Sequence, residues 1–365
     1  MTPPGTACSV CERTFTPTPS EPWRCPCGAP LEFEIVADLP STPPAPDDLD
    51  RDAGLWAFAD LIPVDAHVTL GEGDTPLVDA PAWNSSFKLE YVSPTGSFKD
   101  RGSTTTISRA LALGVDRIVD DSSGNAGAAI ATYAARAGLP ADIYVPAGVK
   151  PAKLAAIERT GARAIRIEGS REAVTDACVA AVEDGSAWYA SHAWNPAFFA
   201  GTMTVAFEIA RQYDWSVPDA FVSPVGHGTM LLGAYRGFVK MHDMGWTDDI
   251  PRIYGVQAAG YDPLATADGG AVAGTNELAD GVQIERPARR DQLLAAVRAT
   301  DGRIISLETE PVREALDRLH RDGFYVEPTS ALAPAALDRL RETGDLDGTD
   351  DVVVPLTGSG LKMAN

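Results

Sequence analysis

Lys99 lies in the segment SPTGSFKDRGS, residues 93–103, directly before a run of residues that favours a helix. Lysine is scarce in this chain, with 6 Lys among 30 basic residues. A lysine amine held in a polar loop near anion-binding amides can form a Schiff base with a carbonyl compound. The neighbouring Asp100 and Arg101 allow a simpler interpretation, in which the segment is the solvated start of a helix.

A second segment, DSSGNAGAA at residues 121–129, follows a predicted strand and opens a predicted helix. The free backbone N–H groups at such a helix start, together with the hydroxyl groups of Ser122 and Ser123, can bind a carboxylate or a phosphate. Serine and asparagine also cap many ordinary helices, so capping alone would explain the segment.

Two glycine-containing turns follow later strands. In SPVGHGTMLLGAYRGF, residues 223–238, Gly226, Gly228 and Thr229 lie between a strand and a helix. Glycines at these positions would let backbone amides converge on a phosphate, although the turn lacks the full G-x-G-x-x-G spacing of nucleotide loops. The segment VVVPLTGSGLK, residues 352–362, is a predicted buried strand that ends in another such turn.

Four cysteines near the N-terminus have a spacing that suits a metal ion. Cys8 and Cys11 form a CxxC pair, and Cys25 and Cys27 form a CPC pair. Four thiolates suit tetrahedral Zn²⁺, and a site filled by four sulfur atoms has no open position for a catalytic water. Because the CPC spacing is tighter than usual, two disulfides or free thiols are the alternative. Cys178, in a predicted helix, is interpreted as a small buried hydrophobic residue.

Alternating strands and helices must position these segments. Beyond a linker rich in proline and aspartate, short β-branched runs alternate with longer helix-forming runs. This alternation predicts βαβ units around parallel sheets that are covered on both faces. A chain of 365 residues holds about two such domains. In open α/β sheets, ligands bind beyond the carboxyl ends of the strands, so we expect these turns to carry the chemistry.

The chain is strongly acidic, with 30 Lys plus Arg against 51 Asp plus Glu and a net charge of -21. This charge excludes nucleic acid as a partner, because a strongly negative protein without a run of basic residues cannot neutralise the phosphates. Asp outnumbers Glu 33 to 18, which favours adaptation to a salty cytosol over an acidic mesophilic protein. No stretch approaches the roughly 18 apolar residues that span a bilayer, and the first residues lack the apolar core of a signal peptide. We therefore expect a cytoplasmic protein without a membrane partner.

Taken together, the segments resemble the threonine synthase family of fold-type II pyridoxal phosphate enzymes. The resemblance covers most of the chain, and PTGSFKDRG is its most specific motif. The matching segments occur in the expected order: the cysteine pairs, LGEGDTPL, PTGSFKDRG, SSGNAG, NPAFFAGTMTVAFEIA, PVGHGT, EPTSALA and PLTGSGLK.

The resemblance implies a role for each matching residue. Lys99 would carry pyridoxal 5'-phosphate as a Schiff base, Asn125 would hydrogen-bond the cofactor 3-oxygen, and Thr357 would face the pyridine nitrogen. A hydroxyl group there cannot hold a full pyridinium charge, which favours eliminations and replacements over transamination. The cofactor phosphate would be held by Gly226, His227, Gly228 and Thr229. The substrate carboxylate would be received by Ser122, Ser123 and Gly124.

The chain departs from the family pattern in one segment. Where threonine synthases commonly have NPYRLEGQKT, this chain has NPAFFAGTMT, with Phe198 and Phe199 at the Tyr-Arg pair and Met203 at a Lys. Basic residues suit a phosphorylated substrate. Their replacement by Phe199 and Met203 makes the substrate less certain than the cofactor.

Several other ionisable residues are interpreted as structural. His192 and His227 have no partner histidine at metal-ligand spacing, although the loop of His227 would place it near the cofactor phosphate. Arg236 and the RPARR segment, residues 286–290, read as solvated charges.

The leading hypothesis is a pyridoxal phosphate-dependent amino-acid lyase that converts O-phosphohomoserine to threonine and phosphate. A second enzyme hypothesis is β-elimination or β-replacement, as in threonine or serine dehydratases, cysteine synthases and cysteate synthase. A third is a pyridoxal phosphate-binding regulator without catalysis, which the intact Lys99 disfavours.

The resemblance also implies an architecture. It is α/β and fold-type II, like the tryptophan synthase β subunit, with two parallel-sheet domains and an N-terminal zinc ribbon. We expect the ribbon at 1–37, a large cofactor-binding domain at 38–86 and 206–365, and a small substrate domain at 87–205. Because the family commonly forms dimers, we expect a homodimer with a small amino acid as substrate.

Overall fold

The computed structural model describes residues 3–34 and 40–363 of the chain. The predicted end of the ribbon at residue 37 lies outside these residues, as do the last two residues predicted for the large domain.

The N-terminal segment forms a small antiparallel sheet. Its strands are β1 (Thr6–Cys8), β2 (Thr14–Phe15) and β3 (Leu31–Phe33). Strand β1 lies in the centre and pairs with both others. Its core is minimal and consists of Cys8, Cys25 and Leu31.

The rest of the described chain alternates strands with helices, as the sequence predicts. The strands are β4 (Leu77–Ala80), β5 (Ser85–Lys88), β6 (Ile118–Asp120), β7 (Ala141–Pro146), β8 (Arg163–Ile167), β9 (Trp188–Tyr189), β10 (Ala220–Pro224), β11 (Arg252–Ala258), β12 (Ile304–Leu307) and β13 (Val352–Pro355). The helices are α1 (Lys99–Leu113), α2 (Asn125–Ala137), α3 (Pro151–Glu158), α4 (Arg171–Glu183), α5 (Pro196–Thr202), α6 (Thr204–Gln212), α7 (Thr229–Asp243), α8 (Pro263–Asp268), α9 (Arg290–Ala299), α10 (Thr309–Arg321) and α11 (Leu332–Glu342).

The larger sheet has six strands in the order β12-β11-β10-β13-β5-β4. Its neighbouring strands are parallel except for the antiparallel hairpin of β4 and β5 at one edge. Every residue of β10 and β13 is buried, as expected for parallel strands covered by helices on both faces. This confirms the prediction of an α/β fold built on parallel sheets.

The smaller sheet has four parallel strands in the order β8-β7-β6-β9. Helices α1 and α2 pack beside it, and Ile107, Ile130, Tyr133 and Ile143 are fully buried in its core. Helix α2 ends at Gly138, whose left-handed conformation suits a glycine C-cap. Within the described residues, no helix has both the length and the apolar character needed to cross a membrane.

Candidate active site

A cavity of about 160 Å³ lies between the segments that follow β6, β10 and β13. The position agrees with the rule that α/β sheets bind ligands at the carboxyl ends of their strands. All ten residues predicted to contact cofactor or substrate line it: Lys99, Ser122, Ser123, Gly124, Asn125, Gly226, His227, Gly228, Thr229 and Thr357.

Lys99 is the first residue of α1, and its side chain reaches the cavity. Its Nζ donates to Thr229 Oγ1 at 3.0 Å and lies 4.5 Å from the centre of the Phe98 ring. Burial lowers the pKa of the amine to about 7, although the carboxylates of Asp120 and Glu327 act in the opposite direction. A large fraction of this amine is therefore uncharged near neutral pH, as a nucleophile or a general base requires.

The interpretation of the segment as a solvated helix start is wrong. Arg101 is fully buried and donates to both Glu90, at 2.7 Å, and Glu208, at 2.5 Å and 2.7 Å. Lys88 is also fully buried, with its Nζ 2.8 Å from Glu208. We call these four residues the Arg101 cluster. It holds α1 against strand β5 and helix α6, which fixes the start of the helix where Lys99 lies.

The turn after β10 has the geometry of an anion cradle. Gly228 has φ +73°, and a Cβ atom there would lie 2.2 Å from Leu293 Cδ2, so any larger residue is excluded on two grounds. Helix α7 begins at the next residue and runs for 15 residues, so its free N–H groups and dipole are directed at the turn. These features fit the phosphate of a pyridoxal phosphate cofactor.

The loop after β6 is held by its own hydrogen bonds. The Ser122 amide donates to Asp120 Oδ2 at 3.0 Å, and the Gly124 amide donates to Ser122 Oγ at 3.3 Å. Burial raises the pKa of the Asp120 carboxyl to about 8, and the charge of Asp121 acts in the same direction. The loop therefore presents serine hydroxyls and the N-terminal amides of α2 to the cavity, where a carboxylate fits.

The amide of Asn125 lies between a carboxylate and an ammonium group. Its Nδ2 donates to Glu327 Oε1 and Oε2 at 2.9 Å and 3.1 Å, and its Oδ1 accepts from Lys362 Nζ at 3.1 Å. Thr357 is held by Ser330, whose Oγ lies 3.0 Å from Thr357 Oγ1. Sequence reasoning included Glu327 and Lys362 in its motifs but gave neither a role.

His192 and His227 meet at the cavity, with ring centres 5.2 Å apart and nearly perpendicular planes. Within residues 3–34 and 40–363, the Nδ1 atoms of both are buried and have no hydrogen-bond partner. Burial lowers the pKa of His227 to about 3 and that of His192 well below its usual range. Both rings are therefore neutral at physiological pH, with polar atoms available to a ligand.

Two cations that sequence reasoning missed also line the cavity. They are Lys153 of α3 and Arg171, the first residue of α4. Lys153 Nζ donates to Asp280 Oδ2 at 3.0 Å, whereas Arg171 lies 3.9 Å from Asp121. The scarcity of lysine was the available signal, since Lys99, Lys153 and Lys362 are three of only six lysines and all lie at this site.

Aligned letter by letter with NPYRLEGQKT, the arginine position is Phe198 rather than Phe199, and the lysine position is Met203. The centre of the Phe198 ring lies 5.7 Å from Lys99 Nζ and 5.9 Å from the centre of the His192 ring. Phe199 and Met203 are buried in the core of the larger sheet, with 1% and 7% of their surface exposed. The guanidinium group of Arg289 lies 4.3 Å from the centre of the Phe199 ring. An aromatic ring therefore stands near Lys99 where the family motif has an arginine, and residues 197–204 supply no cation to the cavity.

The four N-terminal cysteines meet in space, and their sulfur atoms all lie within 4.8 Å of one another. Cys8 Sγ is 3.6 Å from Cys27 Sγ, and Cys11 Sγ is 3.4 Å from Cys25 Sγ. Four thiols at these separations suit a tetrahedral metal ion. The fifth, Cys178, is fully buried in α4, as predicted.

The N-terminal sheet contacts both larger bodies. Arg109 of α1 donates to Glu21 Oε1 at 2.9 Å and Oε2 at 2.5 Å. Arg289 pairs with Glu32 and donates to the Leu31 carbonyl at 3.0 Å. Since Arg289 is only 1% exposed, its interpretation as a solvated charge is wrong. The sheet is thus fixed against both bodies that enclose the cavity.

Comparison with known proteins agrees with this geometry. Residues 68–358 match the family model described as pyridoxal-phosphate dependent enzyme. The chain is 36% identical to a threonine synthase of Methanosarcina acetivorans, over 84% of this chain and 80% of that protein. It is 32% identical to a threonine synthase of Methanocaldococcus jannaschii, over 93% of this chain and 88% of that protein.

Solved structures share the fold at lower identity. An L-serine ammonia-lyase of Rhizomucor miehei superposes with a TM-score of 0.68 at 22% identity, over 78% of this chain and 93% of that one. A threonine deaminase of Solanum lycopersicum gives 0.67 at 19% identity, over 92% and 91%. The resemblance inferred from the motifs is confirmed: the chain belongs to the pyridoxal-phosphate dependent enzyme family and, within it, to the threonine synthases.

Proposed function

We propose that this protein converts O-phosphohomoserine to threonine and inorganic phosphate. The observation that carries the proposal is the convergence of Lys99, the anion cradle and the 122–124 loop on one cavity. Relatives named threonine synthase, which this chain matches over most of their length, support the same reaction.

The described residues fit pyridoxal phosphate. Lys99 would hold it covalently, the turn from Gly226 to Thr229 its phosphate, Asn125 its 3-oxygen and Thr357 its ring nitrogen. When bound, the cofactor supplies an electron sink that stabilises negative charge on the carbon beside the substrate amine.

Lys99 has two tasks in this proposal. Its amine binds the cofactor and, once displaced by the amine of the substrate, is free to take a proton from the α-carbon. A pKa of about 7 leaves the amine ready to accept that proton and to return it near neutral pH. The Ser122–Gly124 amides orient the substrate by its carboxylate, which keeps the α-carbon within reach of Nζ.

The phosphate of the substrate needs cations in the cavity. Arg171 and Lys153 supply two positive charges, and the neutral ring of His192 supplies a polar atom without a partner among the described residues. Arg171 is the better donor, because Lys153 is already paired with Asp280. A guanidinium group binds a phosphate through two parallel hydrogen bonds.

We expect Arg171→Met to raise the KM for O-phosphohomoserine by about tenfold or more, because a hydrogen bond to a charged group contributes about 1.5–3 kcal/mol. Phosphate release and threonine formation are measured at high salt. Arg159→Met, at an exposed position just after α3, is the control and should leave KM unchanged. An unchanged KM in Arg171→Met would contradict this assignment of the phosphate.

The same assays separate the second candidate function. Wild-type protein is incubated in turn with O-phosphohomoserine, serine, threonine and O-phosphoserine. A 2-oxoacid or a β-substituted product in place of threonine would favour β-elimination or β-replacement. Absorbance of the bound cofactor that responds to no amino acid would favour a regulator without catalysis.

We also propose that Cys8, Cys11, Cys25 and Cys27 bind one structural Zn²⁺ ion. Zinc analysis of protein purified without chelator should give about one equivalent per chain, and Cys25→Ser should reduce it sharply because a closed site needs all four ligands. Cys178→Ser, which changes the cysteine outside the cluster, should keep the metal. Zinc-free wild-type protein prepared anaerobically would contradict the site.

The homodimer, the cytoplasmic location and the adaptation to salt remain predictions from the sequence. So do the boundaries of the ribbon and the two domains. The acidic composition is the basis of the predicted adaptation to salt.

A further inference from the structure

Three segments distant in sequence meet beside Lys99. Ser97 forms an antiparallel bridge with Gly358, and Val326 forms one with Ser359. The Glu327 amide donates to the Gly358 carbonyl at 3.0 Å, which places the Glu327 carboxylate next to the cavity. The last described turn of the chain is therefore part of the active-site wall.

Lys362 reaches the site across a glycine. A Cβ atom at Gly96 would lie 2.7 Å from Lys362 Cε, so the lysine stem passes directly over the loop that carries Lys99. Its Nζ then donates to Asn125 Oδ1, while Asn125 Nδ2 donates to Glu327. The two contacts join α2, beside the smaller sheet, to segments of the larger sheet.

The chemistry of the two partners fixes which way the amide points. An ammonium group only donates hydrogen bonds, and an ionised carboxylate only accepts them. Asn125 therefore keeps Oδ1 toward Lys362 and Nδ2 toward Glu327. Both contacts of Nδ2 go to the two oxygens of one carboxylate, which lie in nearly the same direction, so one N–H group serves both. The second N–H group points away from Glu327 and is available to another acceptor.

We propose that Lys362 and Glu327 are positioning residues that hold the Asn125 amide as a donor to the 3-oxygen of the bound cofactor. The inference rests on the proposed function, in which Asn125 contacts that oxygen. A fixed donor and a nearby ammonium group both favour the anionic oxygen over its protonated form. The proton shared between this oxygen and the nitrogen of Lys99 should then leave at a lower pH.

The charged groups that face Lys362 and Glu327 come from several segments of the site. Lys362 faces the carboxylates of Glu327 and Asp100, and Glu327 also faces Asp280 and Lys153. Lys99 faces Asp120 and Glu327 from the other side. Lys362 is the only cation in this set that contacts Asn125 directly.

The test is a pH titration of the visible absorbance of the holoenzyme. We expect Lys362→Met to move the midpoint up by about one pH unit, because a positive charge near the oxygen is lost. Cofactor affinity should fall about tenfold in the same variant. Lys362→Arg should restore both values, and the exposed Lys150→Met is the matched control.

Glu327→Gln provides a second, independent measurement. The substitution keeps the size of the side chain but replaces the carboxylate, which only accepts hydrogen bonds, with an amide, which can also donate. The orientation of Asn125 is then no longer fixed from this side, and cofactor affinity should fall about threefold or more. A wild-type midpoint in Lys362→Met, or wild-type affinity in Glu327→Gln, overturns the inference while leaving the proposed function intact. Wild-type protein without any visible band overturns both.

Discussion

Replacing Lys99 with alanine is expected to reduce threonine formation by about 10³-fold or more, because the same amine binds the cofactor and moves the α-proton. The covalent link should also disappear, so borohydride treatment should leave no cofactor attached to Lys99→Ala protein. Lys150→Ala removes an exposed lysine, with 73% of its side chain accessible, and should retain both properties. A stable covalent adduct in Lys99→Ala would show that another amine carries the cofactor.

The lowered pKa of Lys99 has a second consequence for the cofactor-free protein. The pKa of this amine is about 7 in the folded protein and near the ordinary lysine value of 10.5 in the unfolded chain, so unfolding takes up a proton between these pH values. The contribution of this group therefore makes the folded protein more stable as pH rises from about 7 to about 10.5. In Lys99→Ala that part of the pH dependence should be absent from urea unfolding curves.

Replacing Arg101 with methionine should have the largest effect on stability. The variant would leave Glu90 and Glu208 buried without their shared partner, although Lys88 would still contact Glu208 at 2.8 Å. Breaking a buried ion pair costs about 3–5 kcal/mol. Urea unfolding at pH 7 measures the loss. Arg313→Met breaks the exposed pair with Glu310 and should cost less than about 1 kcal/mol. Equal losses in the two variants would contradict the importance of the Arg101 cluster.

The same cluster predicts acid sensitivity. Although burial alone would raise it, the charges of Arg101 and Lys88 hold the pKa of Glu208 well below its usual 4.5. A carboxylate with a depressed pKa stabilises the fold fully above about 4.5 and loses that contribution as pH falls further. In Arg101→Met the pKa of Glu208 should move upward. Because the variant has already lost stability at neutral pH, acid then acts on a less stable protein.

Local sequence information was sufficient for most of the fold. The runs around β7, β10, β11 and β13 are β-branched and bounded by turn residues, so their period and length specify buried strands. The hairpin of β4 and β5 was missed because LVDA and SSFK are short and polar. Strand β5 also pairs with β13, more than 260 residues later, and no local pattern predicts that contact.

The residues of the site likewise fall into those that a local sequence pattern indicates and those that only the fold brings together. Lys99, Asn125 and Gly228 stand at or just before helix starts, in segments whose residue types and spacing carry a signal by themselves, so they could be found from the sequence. Arg101 looked solvated because its partner Glu208 is 107 positions away. Arg171 was missed for a similar reason, since only the fold brings the start of α4 to the same cavity as Lys99.

The position of β13 in the larger sheet has a consequence for how the chain is made. It is the last strand in the part of the chain that the structure describes, yet it lies between β5 and β10 and pairs with both. At roughly 5–20 residues per second, the ribosome needs on the order of 10–50 s after completing β5 before it produces β13. Strand β5 lacks its β13 partner throughout that time, and β10 lacks it for about the second half, after its own completion. Each then presents an unpaired edge, which other chains can join. Protection of these two edges by chaperones, or by transient packing of their helices, is therefore a condition for reaching the native sheet.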